Sequence, residues 1–166
     1  MNYRAFTTLV EICHRGWVST ATGIPVSSRN GVDLLDHEVG IELKGRLRTY
    51  SEHIAVHNYQ VNQFPREHPD RELYWGFLFY ELSKPVERIW LYERDLNKFI
   101  TDREVWFLPW NWIRQFRVHR PETGPYRYVS KKRFPPEKKF ERVDCSGGRL
   151  YLPRDSLLEQ KIIPLF

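Results

Sequence analysis

Three charged residues in the first third of the chain have the types and spacing of a metal-dependent catalytic site. Asp33 precedes a short turn, and Glu42 and Lys44 follow it on a segment that alternates like a strand. If residues 37–38 form the tip of a two-residue β-hairpin, Asp33 lies directly opposite Glu42. Two carboxylates in this position could bind one divalent cation, with the ammonium group of Lys44 beside it. The spacing therefore predicts a metal site that includes a positively charged side chain.

The apolar residues around the turn support the same register. This register would form two further cross-strand pairs on the other face of the hairpin, Leu34 with Ile41 and Val32 with Leu43. Because successive side chains of a strand point to opposite faces, we expect one face to join the core and the other to carry the charges. The alternative is an exposed strand on which Glu42 and Lys44 form only a weak surface ion pair.

An aspartate, a gap and then Glu-x-Lys on the adjacent strand resembles the PD-(D/E)xK nuclease superfamily, which has the restriction-endonuclease-like fold. The resemblance implies that Asp33 and Glu42 bind a catalytic Mg²⁺, for which Mn²⁺ could substitute, and that Lys44 orients or activates the attacking water. Such a cation neutralises charge on phosphate oxygens and activates its bound water. Some members also place a glutamine on the helix after Glu-x-Lys, which makes Gln60 a fourth catalytic candidate. Where the superfamily has a proline before the aspartate, this chain has Val32.

The superfamily core runs in the order helix, three strands, helix and strand, and the elements predicted for this chain follow that order. Apolar residues at helical spacing predict an amphipathic helix over residues 3–17. A breaker-rich connection over 16–30 could contain a short strand near 24–26. A capping-box pattern predicts a second helix over 50–64, although alternating apolar residues leave an extended structure open for 53–61.

Further along the chain, residues 73–82 form a nearly unbroken apolar and aromatic run, which predicts a central strand covered on both faces. Residues 104–108 predict a second buried strand. We therefore expect an α/β fold with a central mixed β-sheet flanked by helices and a restriction-endonuclease-like core. The prediction is a single domain, with its core over about 3–117 and a basic C-terminal extension over about 118–166.

Composition limits the setting in which this site works. The chain has 166 residues, of which 41% are hydrophobic, enough for one core but not for two ordinary domains. It has no apolar run of the ~20 residues that span a membrane, and its first residues lack the apolar stretch of a secretory signal. Cys13 and Cys145 have no partners at metal-ligand spacing. We expect a cytoplasmic protein in a reducing compartment, with no membrane contact and no disulfide.

The positive charge is concentrated in one segment. Residues 120–142 contain eight lysines and arginines and three glutamates, a local net charge of +5 that equals the formal net charge of the whole chain. Aromatic residues are interleaved with these cations, as in segments that contact phosphates and unpaired bases. The predicted nucleic-acid-binding residues are Arg46, Arg127, Lys131, Lys132, Arg133, Lys138 and Lys139. The alternative for this segment is a solvated surface.

These features predict a Mg²⁺-dependent nuclease, and more specifically a DNA endonuclease. By analogy with relatives that cut both strands, a homodimer is possible. Two alternatives stay open. One is a nucleic-acid-binding or assembly protein that keeps the fold without catalysis, and the other acts on RNA, since nothing in the motif discriminates the 2′-hydroxyl.

Overall fold

The main feature of the fold is a six-stranded mixed β-sheet, seen in a computed structural model that describes residues 3–28, 31–89 and 96–166. The strands, in chain order, are β1 (Leu34–Leu35), β2 (Val39–Leu47), β3 (His53–His57), β4 (Glu72–Leu82), β5 (Ile100–Pro109), β6 (Val118–His119), β7 (Tyr126–Ser130), β8 (Phe140–Cys145) and β9 (Gly148–Pro153). The α-helices are α1 (Tyr3–Thr22), α2 (Asn58–Glu67), α3 (Val86–Ile89) and α4 (Leu157–Ile162). Short 3₁₀ turns cover Asn97–Phe99, Trp110–Gln115, Lys131–Arg133, Glu137–Lys139 and Ile163–Leu165. Asn30, the end of the predicted connection, lies outside the described residues.

The strands form two sheets. The main sheet has the order β1-β2-β4-β5-β9-β8, and a smaller sheet has the order β3-β7-β6. Within the main sheet β2 and β4 are parallel, as are β5 and β9, whereas the other neighbours are antiparallel. The predicted mixed α/β sheet is thus confirmed. The segment after residue 117 contributes β8 and β9 to the main sheet and β6 and β7 to the small one, so it is built into both sheets and does not form an extension.

Strand β4 is central, as its apolar run predicted. Alternate side chains enter two separate cores, one on each face of the sheet. Tyr74 and Leu78 join the core that contains the buried face of α1, whereas Trp75, Phe77 and Phe79 join an aromatic core on the opposite face. Because both faces are covered, the strand needs no polar residue over most of its length.

Helix α1 continues past the predicted end at residue 17. Val18 and Thr22 extend its buried face, and the Thr22 hydroxyl donates to the Val18 carbonyl. Gly23 then ends the helix with a φ of 73°, a left-handed conformation that glycine adopts without strain, and its N–H donates to the Ser19 carbonyl at 2.9 Å. In none of the described ranges is a helix long and apolar enough to cross a membrane.

The second helix begins eight residues later than predicted. Residues 53–57 form β3, so the extended alternative is correct there and the helical prediction is wrong. The reason is that β3 pairs with β7, a strand far along the sequence, and alternate residues of β3, Ile54 and Val56, are buried on one face. Helix α2 then begins at Asn58.

Pro65 lies inside α2, which ends at Glu67 and not before the proline. A proline cannot donate the helical hydrogen bond to the carbonyl four residues earlier. Here that carbonyl, on Val61, accepts from the indole N–H of Trp110 at 2.9 Å. The tertiary contact therefore replaces the missing helical bond, and the helix continues for a further half turn.

Candidate active site

The hairpin that carries the predicted site has the predicted register. Leu34 pairs with Ile41 and Leu35 with Gly40, which places Asp33 opposite Glu42. The turn is closed by the side chain of Asp36, whose Oδ1 accepts from the N–H groups of residues 38 and 39 at 2.8 Å each. Asp33 lies just before β1, and its position is fixed by a hydrogen bond from the Leu43 N–H to Oδ2 at 2.8 Å.

One part of the predicted pairing is wrong. Val32 was expected to share a face with Leu43. Instead, Val32 packs in the aromatic core, while Leu43 packs against the other core, which contains the buried face of α1. The chain has left the strand by this point, since regular pairing of the hairpin begins only at Leu34. The alternation rule therefore stops applying one residue before the site.

The structure brings the four predicted catalytic residues to one open cleft. Asp33, Glu42, Lys44 and Gln60 all line it, and its volume is about 490 Å³. The hairpin forms its floor, while α1, β3 and the first turn of α2 supply its walls. Residues 11 and 15 of α1 also line the cleft.

Glu42 is the most constrained of these residues. Its Oε1 accepts from Lys44 Nζ at 3.0 Å and from Gln60 Nε2 at 3.2 Å. Its other carboxylate oxygen, Oε2, is buried and has no hydrogen-bond partner among the described residues, and the same is true of Gln60 Oε1. An unsatisfied buried acceptor is costly, so two of them in one cleft indicate a place for a cation or for donors from a ligand.

Burial and the neighbouring charges have opposite effects on the pKa of Glu42. Burial raises the pKa of Glu42, Lys44 lowers it, and the neighbouring Asp33 raises it further. Asp33 in turn receives the guanidinium of Arg15, with Nε at 2.8 Å from Oδ1. Sequence reasoning missed Arg15, whose position one helical turn after Glu11 became informative only when α1 was placed against the hairpin. Burial also raises the pKa of Glu11.

The donors in the cleft fit Mg²⁺. Carboxylate and amide oxygens are the ligands that this hard cation prefers, and the unpartnered Oε2 of Glu42 supplies one that the protein itself does not use. Nowhere in residues 3–28, 31–89 and 96–166 are three or more His, Cys, Asp or Glu side chains grouped to hold a metal ion. Asp33 and Glu42 give the cleft two carboxylates, and Mg²⁺ is usually held by one or two when waters and phosphate oxygens complete its coordination.

Two of the predicted phosphate-binding side chains, those of Lys131 and Arg127, bind other residues of the protein. Lys131 Nζ lies 2.6 Å from Glu104 Oε1, and the Glu104 side chain is only 4% exposed. Arg127 donates to Asn58 Oδ1 at 3.1 Å and to the carbonyl of Phe116. A buried carboxylate needs cations, and Glu104 pairs with both Lys131 and Arg149, so Lys131 already has a partner inside the fold.

The remaining predicted cations are closer to the surface. Arg46 lines the cleft, and its Nε lies 3.3 Å from the Ser51 hydroxyl. Arg133 is exposed, with its guanidinium 5.6 Å from the centre of the Phe116 ring. The lysines at 132, 138 and 139 are exposed. These three are the best candidates in the basic segment for contacts with phosphates.

Replacing Lys132, Lys138 and Lys139 together by Ala is expected to flatten the salt dependence of nucleic-acid binding. For each phosphate that the variant no longer binds, the slope of log affinity against log salt should fall by about 0.9 on duplex DNA or about 0.7 on single strands. Fluorescence anisotropy across a salt series measures this slope. Lys131→Ala is the comparison, because it should leave the slope unchanged while lowering the melting temperature. An unchanged slope in the triple variant would identify the segment as a solvated surface.

Comparison of the chain with protein-family models, with curated proteins and with solved structures gives no match in any of the three.

Proposed function

We propose that this protein is a Mg²⁺-dependent nuclease that hydrolyses phosphodiester bonds in DNA, as an endonuclease with a restriction-endonuclease-like core. The observation that carries the proposal is the convergence of Asp33, Glu42, Lys44 and Gln60 in one open cleft, where a buried oxygen of Glu42 has no partner among the described residues. An open polar cleft that presents carboxylates and a lysine suits a phosphate backbone better than an apolar small molecule.

The order of the elements supports the same proposal. Helix α1 is followed by an isolated bridge between Val26 and Leu34, then by β1 and β2, and later by α2 and β4. This sequence of helix, three extended segments, helix and strand is the order expected for the superfamily core. Strand β3 is the departure, since it lies between β2 and α2 and pairs outside the main sheet.

In this proposal Asp33 and Glu42 would hold the cation, which would supply charge neutralisation on phosphate oxygens and a water of lowered pKa. Gln60 fixes the orientation of the Glu42 carboxylate through its 3.2 Å hydrogen bond. Arg15 performs the same task for Asp33. Lys44, bound to Glu42 but with 18% of its side chain exposed to the cleft, is placed to hold the attacking water or a phosphate oxygen.

Lys44→Ala is expected to lower the cleavage rate about 100-fold or more, since a positioned proton-transfer group or charge donor contributes about 10²- to 10⁴-fold. Affinity for Mg²⁺ and DNA should change far less, because the carboxylates remain. Single-turnover cleavage and binding measured in parallel separate the two effects. Lys84→Ala, at an exposed lysine outside the cleft, is the matched control. Equal losses in binding and cleavage would assign Lys44 to binding alone.

The direct test of the proposal uses the purified protein with supercoiled plasmid, circular single-stranded DNA and RNA, each with Mg²⁺, Mn²⁺ or EDTA. Nicking or linearisation that requires the metal supports an endonuclease. Cleavage of RNA alone would move the proposal to an RNA-directed enzyme. Absence of cleavage on every substrate would refute it.

A non-catalytic nucleic-acid-binding protein is the second candidate function. It is favoured by the two ion pairs in the cleft, Arg15 with Asp33 and Lys44 with Glu42, which neutralise both carboxylates without a metal. In that case DNA binding would persist, cleavage would be absent, and Mg²⁺ would leave the affinity unchanged.

A further inference from the structure

A row of aromatic rings begins at the cleft and continues over the small sheet. Tyr59 and His57 line the cleft itself. From there the ring centres follow at 5.5 Å (Tyr59 to His57), 4.5 Å (His57 to Tyr126), 6.3 Å (Tyr126 to Tyr128) and 5.0 Å (Tyr128 to His119). Five rings therefore form one continuous surface that leads away from the proposed catalytic residues.

The pairing of the small sheet explains why these rings share one face. His57 and His119 both pair with Tyr126, one from each neighbouring strand, and Tyr128 lies two residues along β7. The opposite face of the sheet carries Ile54, Val56 and Val129, all buried in the aromatic core. The row is thus on the outer face, where Tyr128 and His119 are exposed while His57 and Tyr126 are partly buried.

Exposure separates these rings from the other aromatic residues of the basic segment. Tyr128 is 47% exposed and Tyr59 is 55% exposed. In contrast, Phe140 is buried and Phe134 packs against the aromatic core. The segment thus places its phenylalanines in or against the core, leaves Tyr126 partly buried, and presents the flat apolar face and polar hydroxyl of Tyr128 at the surface.

The charge around the row suits a polyanion. Strands β3, β6 and β7, every residue of which the structure describes, contain no aspartate or glutamate. Exposed cations flank them, with Arg120 directly after β6 and Lys132 two residues after β7, while the flanking carboxylates are Glu52 before β3 and Glu122 between β6 and β7. At the other end, Lys44 lies in the cleft that Tyr59 and His57 line.

Exposed rings in series with cations at their margins have the chemistry that binds single-stranded nucleic acid, because every base can stack on a ring whatever its sequence. We propose that this row binds unpaired bases and leads a single strand into the cleft, so that the substrate is nucleic acid with a single-stranded stretch beside the bond to be cut. The cleavage part of this inference rests on the proposed nuclease function, whereas the binding part does not.

The test measures anisotropy of labelled oligonucleotides in EDTA, where a metal-dependent cleavage cannot occur. The probes are a single-stranded DNA, an RNA of the same sequence and the DNA as a blunt duplex. Tyr128→Ala should weaken binding of the single strands by about 5- to 150-fold, the range that corresponds to the loss of one stacked base. The duplex, whose bases are already stacked, should lose far less. Comparison of the DNA and RNA strands shows which of the two the row prefers.

Controls keep the result specific to stacking. Tyr128→Phe retains the ring and should bind like the wild type. Phe166→Ala removes a ring that is exposed but outside the row, and it should have no effect. If Tyr128→Ala does not fold by circular dichroism, His119→Ala at the exposed end of the row provides the same test. Wild-type affinity in the Ala variants, or equal losses on duplex and single strand, would overturn the inference.

The two proposals fail separately. A protein that never cleaves but loses single-strand binding in Tyr128→Ala retains the binding row and refutes the nuclease. If the protein cleaves with Mg²⁺ but the wild type and Tyr128→Ala bind single strands equally well, only the binding row is refuted.

Discussion

Asp33→Asn is expected to reduce Mg²⁺-dependent cleavage about 1000-fold or more. The substitution keeps the size of the side chain but removes the negative charge that would bind the cation, and a bound metal contributes several kcal/mol to phosphodiester cleavage. An amide oxygen can still accept from the Leu43 N–H, so the hairpin should retain its register. The rate is measured on plasmid under single-turnover conditions.

Asp70→Asn is the matched control, since Asp70 is an exposed aspartate outside the cleft. Calorimetric titration of Mg²⁺ into the Asp33 variant should show weakened metal binding. If the Asp33 variant cuts at the wild-type rate, any activity resides elsewhere in the protein. If it loses cleavage but binds metal normally, Asp33 has a role other than metal ligation.

Trp75→Ala is expected to reduce the free energy of unfolding by about 3–5 kcal/mol, the usual cost of deleting a fully buried large aromatic side chain. Trp75 is completely buried in β4, stacks on Trp110 with ring centres 3.9 Å apart, and donates its indole N–H to the Trp110 carbonyl at 3.0 Å. Because domains are stable by only about 5–15 kcal/mol, this loss would be a large fraction of the total. Urea denaturation followed by circular dichroism measures it.

The same variant should also weaken the site. Trp110 donates to the Val61 carbonyl inside α2, the helix that carries Gln60 into the cleft. Tyr50→Ala, at a tyrosine that is 51% exposed, is the control and should change stability by no more than about 0.5 kcal/mol. A Trp75 variant as stable as this control would show that the aromatic core can repack around the missing ring.

The features predicted correctly are those whose signal is local in the sequence. The hairpin register follows from a short turn with alternating residues on both sides, and β4 follows from an unbroken apolar run. Strand β3 was misassigned because its partner is remote: His53 pairs with Ser130, and five residues with only two buried side chains resemble part of a helix. The propagation of α2 through Pro65 depends in the same way on Trp110, which no local pattern can indicate.

The candidate site shows the same division. Three of its residues lie on one hairpin, so local pairing was sufficient to place Asp33, Glu42 and Lys44 together. Arg15 required the packing of α1 against that hairpin. The basic segment could not be interpreted from its sequence alone, because a run of charges does not reveal that Lys131 pairs with Glu104 inside the fold.

The pairing of β3 with β7 has a consequence for the order in which the protein folds during synthesis. Strand β3 leaves the ribosome soon after the hairpin that carries Asp33, Glu42 and Lys44, but its partner is encoded about 70 residues later. At typical rates of about 5–20 residues per second, roughly 4 to 15 s separate the two. During that time the strand that forms one wall of the cleft has an open edge. The cleft is therefore completed only after β7 has been synthesised, well after the residues that line it.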